Sequence, residues 1–183
     1  MTDTRPIAWP PAPITTERLV LRPSEARDRS GVIELNASPE VGTYVGGPSS
    51  REELERMVPE VPGRRAGFFV VERDGALIGT IELNARDPER PGYHRHPEAA
   101  GTELGYLFLP HAWGRGYGTE ACTAALAWFA AELPGEPVLL GTQTANHASM
   151  RLATKLGFTE LERFEEWGAE QWLALWTPPA QAG

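Results

Sequence analysis

The sequence predicts a single α/β domain, a mixed β-sheet with helices on both faces. Three observations lead there. First, Gly105–Ala131 reads as a strand, a glycine loop and a helix in succession. A short aromatic and branched run at Gly105–Leu109 is followed by helical periodicity at Ala121, Cys122, Ala125, Leu126 and Phe129. Second, hairpin patterns stand on either side of this unit. Asp74-Gly75 joins two apolar runs, and Phe158–Arg163 with Gln171–Thr177 reads as a closing antiparallel pair. Third, 183 residues without an internal repeat or a domain-sized linker suit one core. Strands that precede, separate and follow helices make a layered mixed sheet.

In chain order, residues 1–13 carry Pro6, Pro10, Pro11 and Pro13 and predict a loose or surface-draped arm. The domain spans 14–178, and 179–183 is a C-terminal tail. Thr16–Arg22 alternates and reads as the first strand. Ser24 can cap a helix through about Ala37 that buries Val32, Ile33 and Leu35. Val41–Pro48 is a glycine-rich loop, and Ser50-x-x-Glu53 is a capping box for a helix to about Val58. Gly67–Arg73 and Leu77–Leu83 are hairpin strands. Ala85–Ala100 is a long polar loop, of the kind that is often functional. Thr102–Leu109 is the next strand, and the central helix runs from Thr119 to about Leu133, where Pro134-Gly135 stops it. Val138–Thr144 is a strand, and Ala148–Leu156 is a helix closed by Gly157.

Gly114, Gly116 and Gly118 alternate with Arg115 and Tyr117 at the start of the central helix. Glycines there let backbone N–H groups converge where the helix carries partial positive charge, a site for phosphate or pyrophosphate. The spacing is neither G-x-x-x-x-G-K-[ST] nor G-x-G-x-x-G. A plain strand–helix turn is the alternative reading.

Charge and composition narrow the function class. Seventeen basic against 25 acidic residues give a net charge of −8, which argues against nonspecific nucleic-acid binding and favours a cationic acceptor. Cys122 is the only cysteine, so no intramolecular disulfide forms, and its apolar helix face marks it as a small buried hydrophobe. His94 and His96 stand without a further His or Cys cluster, so no metal is expected. No apolar stretch nears twenty residues, and the N-terminus lacks a signal-like pattern. The expected location is the cytoplasm.

Three motifs carry a family resemblance. They are Thr16-Glu17-Arg18-Leu19-Val20-Leu21-Arg22-Pro23, then W-G-R-G-Y-G-T-E-A at Trp113–Ala121, then N-x-x-S-x-R-x-x-x-K-x-G-F from Asn146 to Phe158. In this order and spacing the chain resembles the GNAT superfamily of acyl-CoA N-acyltransferases, in its Rim-type branch of ribosomal-protein N-terminal acetyltransferases and small-amine acetyltransferases. The resemblance runs from about Thr16 to Thr177. It implies that the strands Thr102–Leu109 and Val138–Thr144 lie parallel and splay apart, and that acetyl-CoA is the cosubstrate. The pantetheine arm would enter the gap and pair with strand backbone. By the same resemblance the coenzyme site holds Leu107, Phe108, Leu109, Trp113, Gly114, Arg115, Gly116, Tyr117, Gly118, Thr119, Asn146, Ser149 and Arg151. Trp113 stands where the family often has Arg or Gln, so backbone N–H groups carry the phosphate site, with Arg115 as an added charge.

Amide formation from a thioester and an amine needs a deprotonated amine, a held oxyanion and a stabilised thiolate. Glu103, beside the coenzyme strand, is the first candidate base; Glu82 on the neighbouring strand is its rival, and His111 ranks lower. The tyrosine that many family members carry five residues before the G-F phenylalanine is Ala153 here. Ser149 takes the acid role instead, unless it and Asn146 only order the helix start. Arg151 and Lys155 reach toward the adenosine or phosphate end, or are plain solvated charges. The implied activity is acetylation of a primary amine, a protein N-terminus or a small molecule. The alternative is a noncatalytic coenzyme A sensor or scaffold. Phe164, Trp167, Trp172 and Trp176 load the C-terminal strands with aromatics, which either pack the core or form a homodimer contact.

Overall fold

A computed structural model of the chain describes residues 7–86 and 101–180. His94, His96 and most of the polar stretch after Ala85 lie outside the described residues.

The chain opens with β1 (Ile14–Thr15) and β2 (Val20–Arg22), a tight hairpin where the sequence predicts one strand over Thr16–Arg22. Thr16 makes the turn: its N–H donates to the Leu19 carbonyl at 2.9 Å and its Oγ1 accepts the Leu19 N–H at 3.1 Å. A single 3₁₀ turn, Ala26–Asp28, then leads into α1 (Arg29–Ala37). The cap is Glu25 rather than Ser24, because Asp28 reaches back to accept the Glu25 N–H at 2.8 Å. Val32, Ile33 and Leu35 are buried, as their spacing predicts. The expected glycine loop begins with a one-turn helix, α2 (Pro39–Gly42), because Ser38 Oγ caps the Val41 N–H at 3.3 Å and Pro39 suits a first helical position. Ser50 caps α3 (Arg51–Met57) as its spacing predicts.

β3 (Phe68–Arg73) and β4 (Ala76–Ala85) are joined by Asp74 and Gly75 at φ 51° and 81°, the two positive values a type I′ turn requires. There follow β5 (Thr102–Phe108), α4 (Tyr117–Glu132), β6 (Val138–Gln143), α5 (His147–Leu156), β7 (Thr159–Glu166) and β8 (Ala169–Trp176). The eight strands form one sheet in the order β1-β2-β3-β4-β5-β6-β8-β7. All neighbours are antiparallel except β5 and β6, which pair in parallel only at Thr102 with Val138 and Glu103 with Leu139. Beyond that point no pairing joins them, so the sheet is split from Leu104 onward.

Alternation on the strands divides the two faces. Leu21, Phe69, Val71, Ile81 and Leu83 pack with Ala121, Cys122, Leu126 and Phe129 of α4. Burial pushes the Cys122 thiol up, so it is an inert hydrophobe. Arg22 turns to the opposite face, where its guanidinium grips Asp28 at the start of α1 through two bonds of 2.8 and 2.9 Å. In the arm, Trp9 meets Phe69 and Trp128 edge-on at 5.1 and 5.8 Å, so this part is draped on the α4 face. Of the C-terminal aromatics, Trp172 is buried in the core, Phe164 packs beside Leu139 and Leu173, and only Trp167, at the β7–β8 turn, is 69% exposed. Core packing therefore accounts for most of that aromatic load.

Candidate active site

The glycine loop sits between the end of β5 and α4. Gly114 and Gly116 have φ of 69° and 80°, a backbone that side-chain-bearing residues rarely adopt. Around Gly114 an added Cβ would meet no protein atom within 4 Å, so the loop faces open space. Gly118 differs. It lies inside α4, and a Cβ there would stand 2.7 Å from Leu152 Cδ1 of α5. Its absent side chain lets the two helices approach. Tyr117 buries its ring, with the Arg18 and Arg73 guanidinium carbons 4.5 and 4.9 Å from the ring centroid, so only its backbone is available to a ligand. Trp113 is half exposed and donates Nε1–H to the Phe108 carbonyl at 2.8 Å, tying the loop to β5. Arg115 is exposed.

The first motif meets the second here. Glu120, in the first turn of α4, accepts the Thr16 hydroxyl at 2.6 Å, the Arg18 N–H at 2.8 Å and the Arg18 Nε–H at 2.7 Å. Burial alone would raise the Glu120 carboxyl, but Thr16 and Arg18 hold it below the usual range. Arg18 Nη1 also donates to the Arg115 carbonyl at 2.9 Å. The sequence signalled both segments as motifs and left their mutual contact unread.

The split in the sheet lies beside this loop. Leu109 donates its N–H to the Ile78 carbonyl at 2.9 Å. By ladder alternation Leu107 also directs its backbone to β4, while Leu104, Tyr106 and Phe108 direct theirs toward the gap. Glu103 stands where β5 and β6 part, on the same sheet face as Glu82 and Asn84. Two glycines flank it. A Cβ on Gly105 would meet nothing within 4 Å, and one on Gly141 of β6 would lie 3.4 Å from Glu103 Oε1. That face of the gap is thus kept clear next to the carboxylate. Glu82 is engaged: its Oε2 accepts from Asn84 Nδ2 at 2.6 Å and pairs with Arg65 at 2.8 Å. On the same face a cavity of about 670 Å³ between α1 and the end of β5 is lined by Glu34, Ser38, Glu40, Arg51, Leu109 and Pro110. His111 is exposed in a short turn after β5.

On the other face, Ser149 in α5 shares a short hydrogen bond with the Tyr106 hydroxyl. Burial pushes the Tyr106 phenol well above its usual range, so it stays protonated. Asn146 caps α5, its Oδ1 accepting the Ser149 N–H at 3.2 Å. Ala153 is fully buried in the core, with no space for the tyrosine other family members carry there. Tyr106 is the residue the sequence reading missed. It sits within an apolar run, and its parity with Phe108, which turns it toward α5, was the available signal. Arg151 and Lys155 are exposed on α5. Among the described residues no His, Cys, Asp or Glu group of three could hold a metal ion, and no helix is long and apolar enough to cross a membrane.

The family model "Acetyltransferase (GNAT) domain" matches residues 18–159. The chain is 32% identical over 166 residues to a mycothiol acetyltransferase of Thermobispora bispora, covering 85% of this chain and 52% of that protein. It thus spans about half the length of that relative. An acetyltransferase of the GNAT family from Bacillus anthracis superposes with a TM-score of 0.72 at 24% identity, over 91% of this chain and 98% of that one. Spermidine N-acetyltransferase from Vibrio cholerae, solved with CoA and spermine, superposes with a TM-score of 0.70 at 21% identity, over 88% and 96%.

Proposed function

The chain belongs to the GNAT acetyltransferase family, an acetyl-CoA-dependent enzyme family, and from that premise we propose that it acetylates a primary amine by direct attack within a ternary complex. The observation that carries the reading is the split between β5 and β6, with a carboxylate on one face and a Ser–Tyr pair on the other. The pantetheine arm runs along the open β5 edge, and its pyrophosphate meets the N–H groups of Gly114–Thr119. Asn146 and Arg151 border the arm and the adenosine end. The acceptor enters on the Glu103 side, where Gly105 and Gly141 leave room.

Glu103, through a water, takes the proton of the ammonium, which frees the lone pair. The nitrogen attacks the thioester carbonyl, the C–N bond forms and the C–S bond breaks. Ser149 gives a proton to the departing thiolate on the opposite face and is resupplied by Tyr106. The acceptor is a small-molecule or peptide amine, favoured as a cation by the net charge of −8 and by Glu34 and Glu40 in the neighbouring cavity. Membership of the Rim-type branch is supported by the Thr16–Pro23 motif, Trp113 and the alanine at 153. The protein acts in the cytoplasm, where its single thiol needs no pairing.

An acceptor screen spanning N-terminal peptides, polyamines and aminoglycosides, read by thiol release from acetyl-CoA, tests the reading. No turnover with any amine despite tight coenzyme binding would favour a sensor instead. With an acceptor in hand, Glu103→Gln should lower the rate by roughly 10²–10⁴, the usual worth of a positioned base, with coenzyme affinity kept. The wild-type rate should rise with pH as the amine deprotonates. A near-full rate in Glu103→Gln alongside a loss in Glu82→Gln would move the base to the neighbouring strand.

A further inference from the structure

We propose that Arg18, at the turn between β1 and β2, is a positioning residue for the coenzyme loop: it aims the Gly116 N–H at the pyrophosphate. The inference rests on the reading of Gly114–Thr119 as the pyrophosphate site. Arg18 Nη1 donates to the Arg115 carbonyl at 2.9 Å. Across a trans peptide the C=O and the following N–H point in opposite directions. Binding the Arg115 carbonyl inward therefore turns the Gly116 N–H outward, away from Arg18 and toward the open side of the loop.

Three further contacts fix the guanidinium for this task. Its Nε–H bonds Glu120 Oε2 at 2.7 Å, its plane lies over the Tyr117 ring at 4.5 Å, and a Cβ on Gly116 would already stand 3.4 Å from its Nη2. The arrangement also answers a charge problem. Glu120 is a carboxylate in the first turn of the helix whose N-terminus is to receive an anion, and it would repel that anion. Arg18 neutralises it from behind the loop. Thr16 holds the other carboxylate oxygen at 2.6 Å, so the carboxylate cannot swing toward the ligand without breaking that bond. Arginine suits the position because one side chain must donate to both a carboxylate and a carbonyl in fixed directions. A lysine supplies charge without the fork.

The test compares the affinities of the full chain for coenzyme A and for pantetheine, which lacks the pyrophosphate and adenosine, by calorimetry. Wild-type protein should bind coenzyme A far more tightly. Arg18→Gln should weaken coenzyme A binding roughly tenfold, the worth of one hydrogen bond to a charged group, and leave pantetheine binding unchanged. Arg18→Lys should fall between. Equal weakening for both ligands would reduce Arg18 to a general structural role, and unchanged affinity for both would remove it from the site; either overturns the proposal. If Arg18→Gln does not fold, Arg18→Lys decides, and a wild-type ratio of the two affinities overturns the proposal. If the wild-type protein itself fails to distinguish the two ligands, the pyrophosphate reading of the loop falls, and the Arg18 inference falls with it.

Discussion

Among single residues, the most consequential for stability is one outside the active site. The Arg22 guanidinium is bonded on both terminal nitrogens by Asp28 and on Nε by Glu72 at 2.7 Å, with only 7% of its side chain exposed. Burial alone would raise the Asp28 carboxyl, but Arg22 and the Glu25 N–H hold it below the usual range. Removing the carboxylate leaves a buried cation with half its partners. Asp28→Ala should therefore cost about 3 kcal/mol, which for a chain of this size lowers Tm by roughly 6–12 °C. The pH dependence follows from the sign of the shift. A carboxyl with a depressed folded-state pKa contributes stability that is fully present above the ordinary carboxylate range, near pH 4, and is lost as pH falls below it. Calorimetric scans between pH 3 and 7 should show wild type losing Tm on acidification more steeply than Asp28→Asn. Parallel curves would mean that another carboxylate governs acid stability.

Between elements, the junction of α4 and α5 separates two roles that the glycine pattern runs together. Gly114 and Gly116 serve the backbone of the loop, whereas Gly118 serves helix packing against Leu152. Gly118→Val should destabilise by about 1–3 kcal/mol through overpacking. Adding Leu152→Ala should restore part of that, a coupling that a double-mutant cycle of melting temperatures measures. A loss of coenzyme affinity at unchanged stability would instead return Gly118 to the phosphate site. The same junction shows what a sequence can carry. The strands, the Asp74-Gly75 turn, the Ser50 cap and the helix closed by Gly157 follow from local patterns and were legible. The β1–β2 turn and the Glu25 cap were not, because Thr16 and Asp28 each act through side-chain bonds that compete with simple periodicity. Glu103 and Ser149 were legible as residues, but their disposition on opposite faces was not. Neither was Tyr106, whose hydroxyl is invisible in an apolar run until α5 is brought beneath it.

For the molecule as a whole, the decisive feature is a sheet that gives up pairing at its middle. β5 and β6 share only two paired positions, so several backbone groups of Leu104, Tyr106 and Phe108 on the gap side lack a strand partner. Leaving such groups without protein partners costs stability unless water or a ligand meets them. A ligand that adds itself as a strand both satisfies them and bridges the halves β1–β5 and β6–β8 of the sheet. Binding to the native state alone should then stabilise the fold by mass action, by about 2.7 kcal/mol at a hundredfold excess over Kd. For a chain of this length the expected rise in Tm is roughly 5–11 °C. Hydrogen exchange locates the effect. With coenzyme A bound, protection should rise at the amides of Leu104, Tyr106, Phe108 and Gly114–Thr119, and also in β6, because the arm ties it to β5. Amides of β3, already paired on both sides by β2 and β4, should change only with global stability. A rise in Tm with new protection confined to the glycine loop would mean that the phosphates alone anchor the coenzyme and that the gap stays open in the complex.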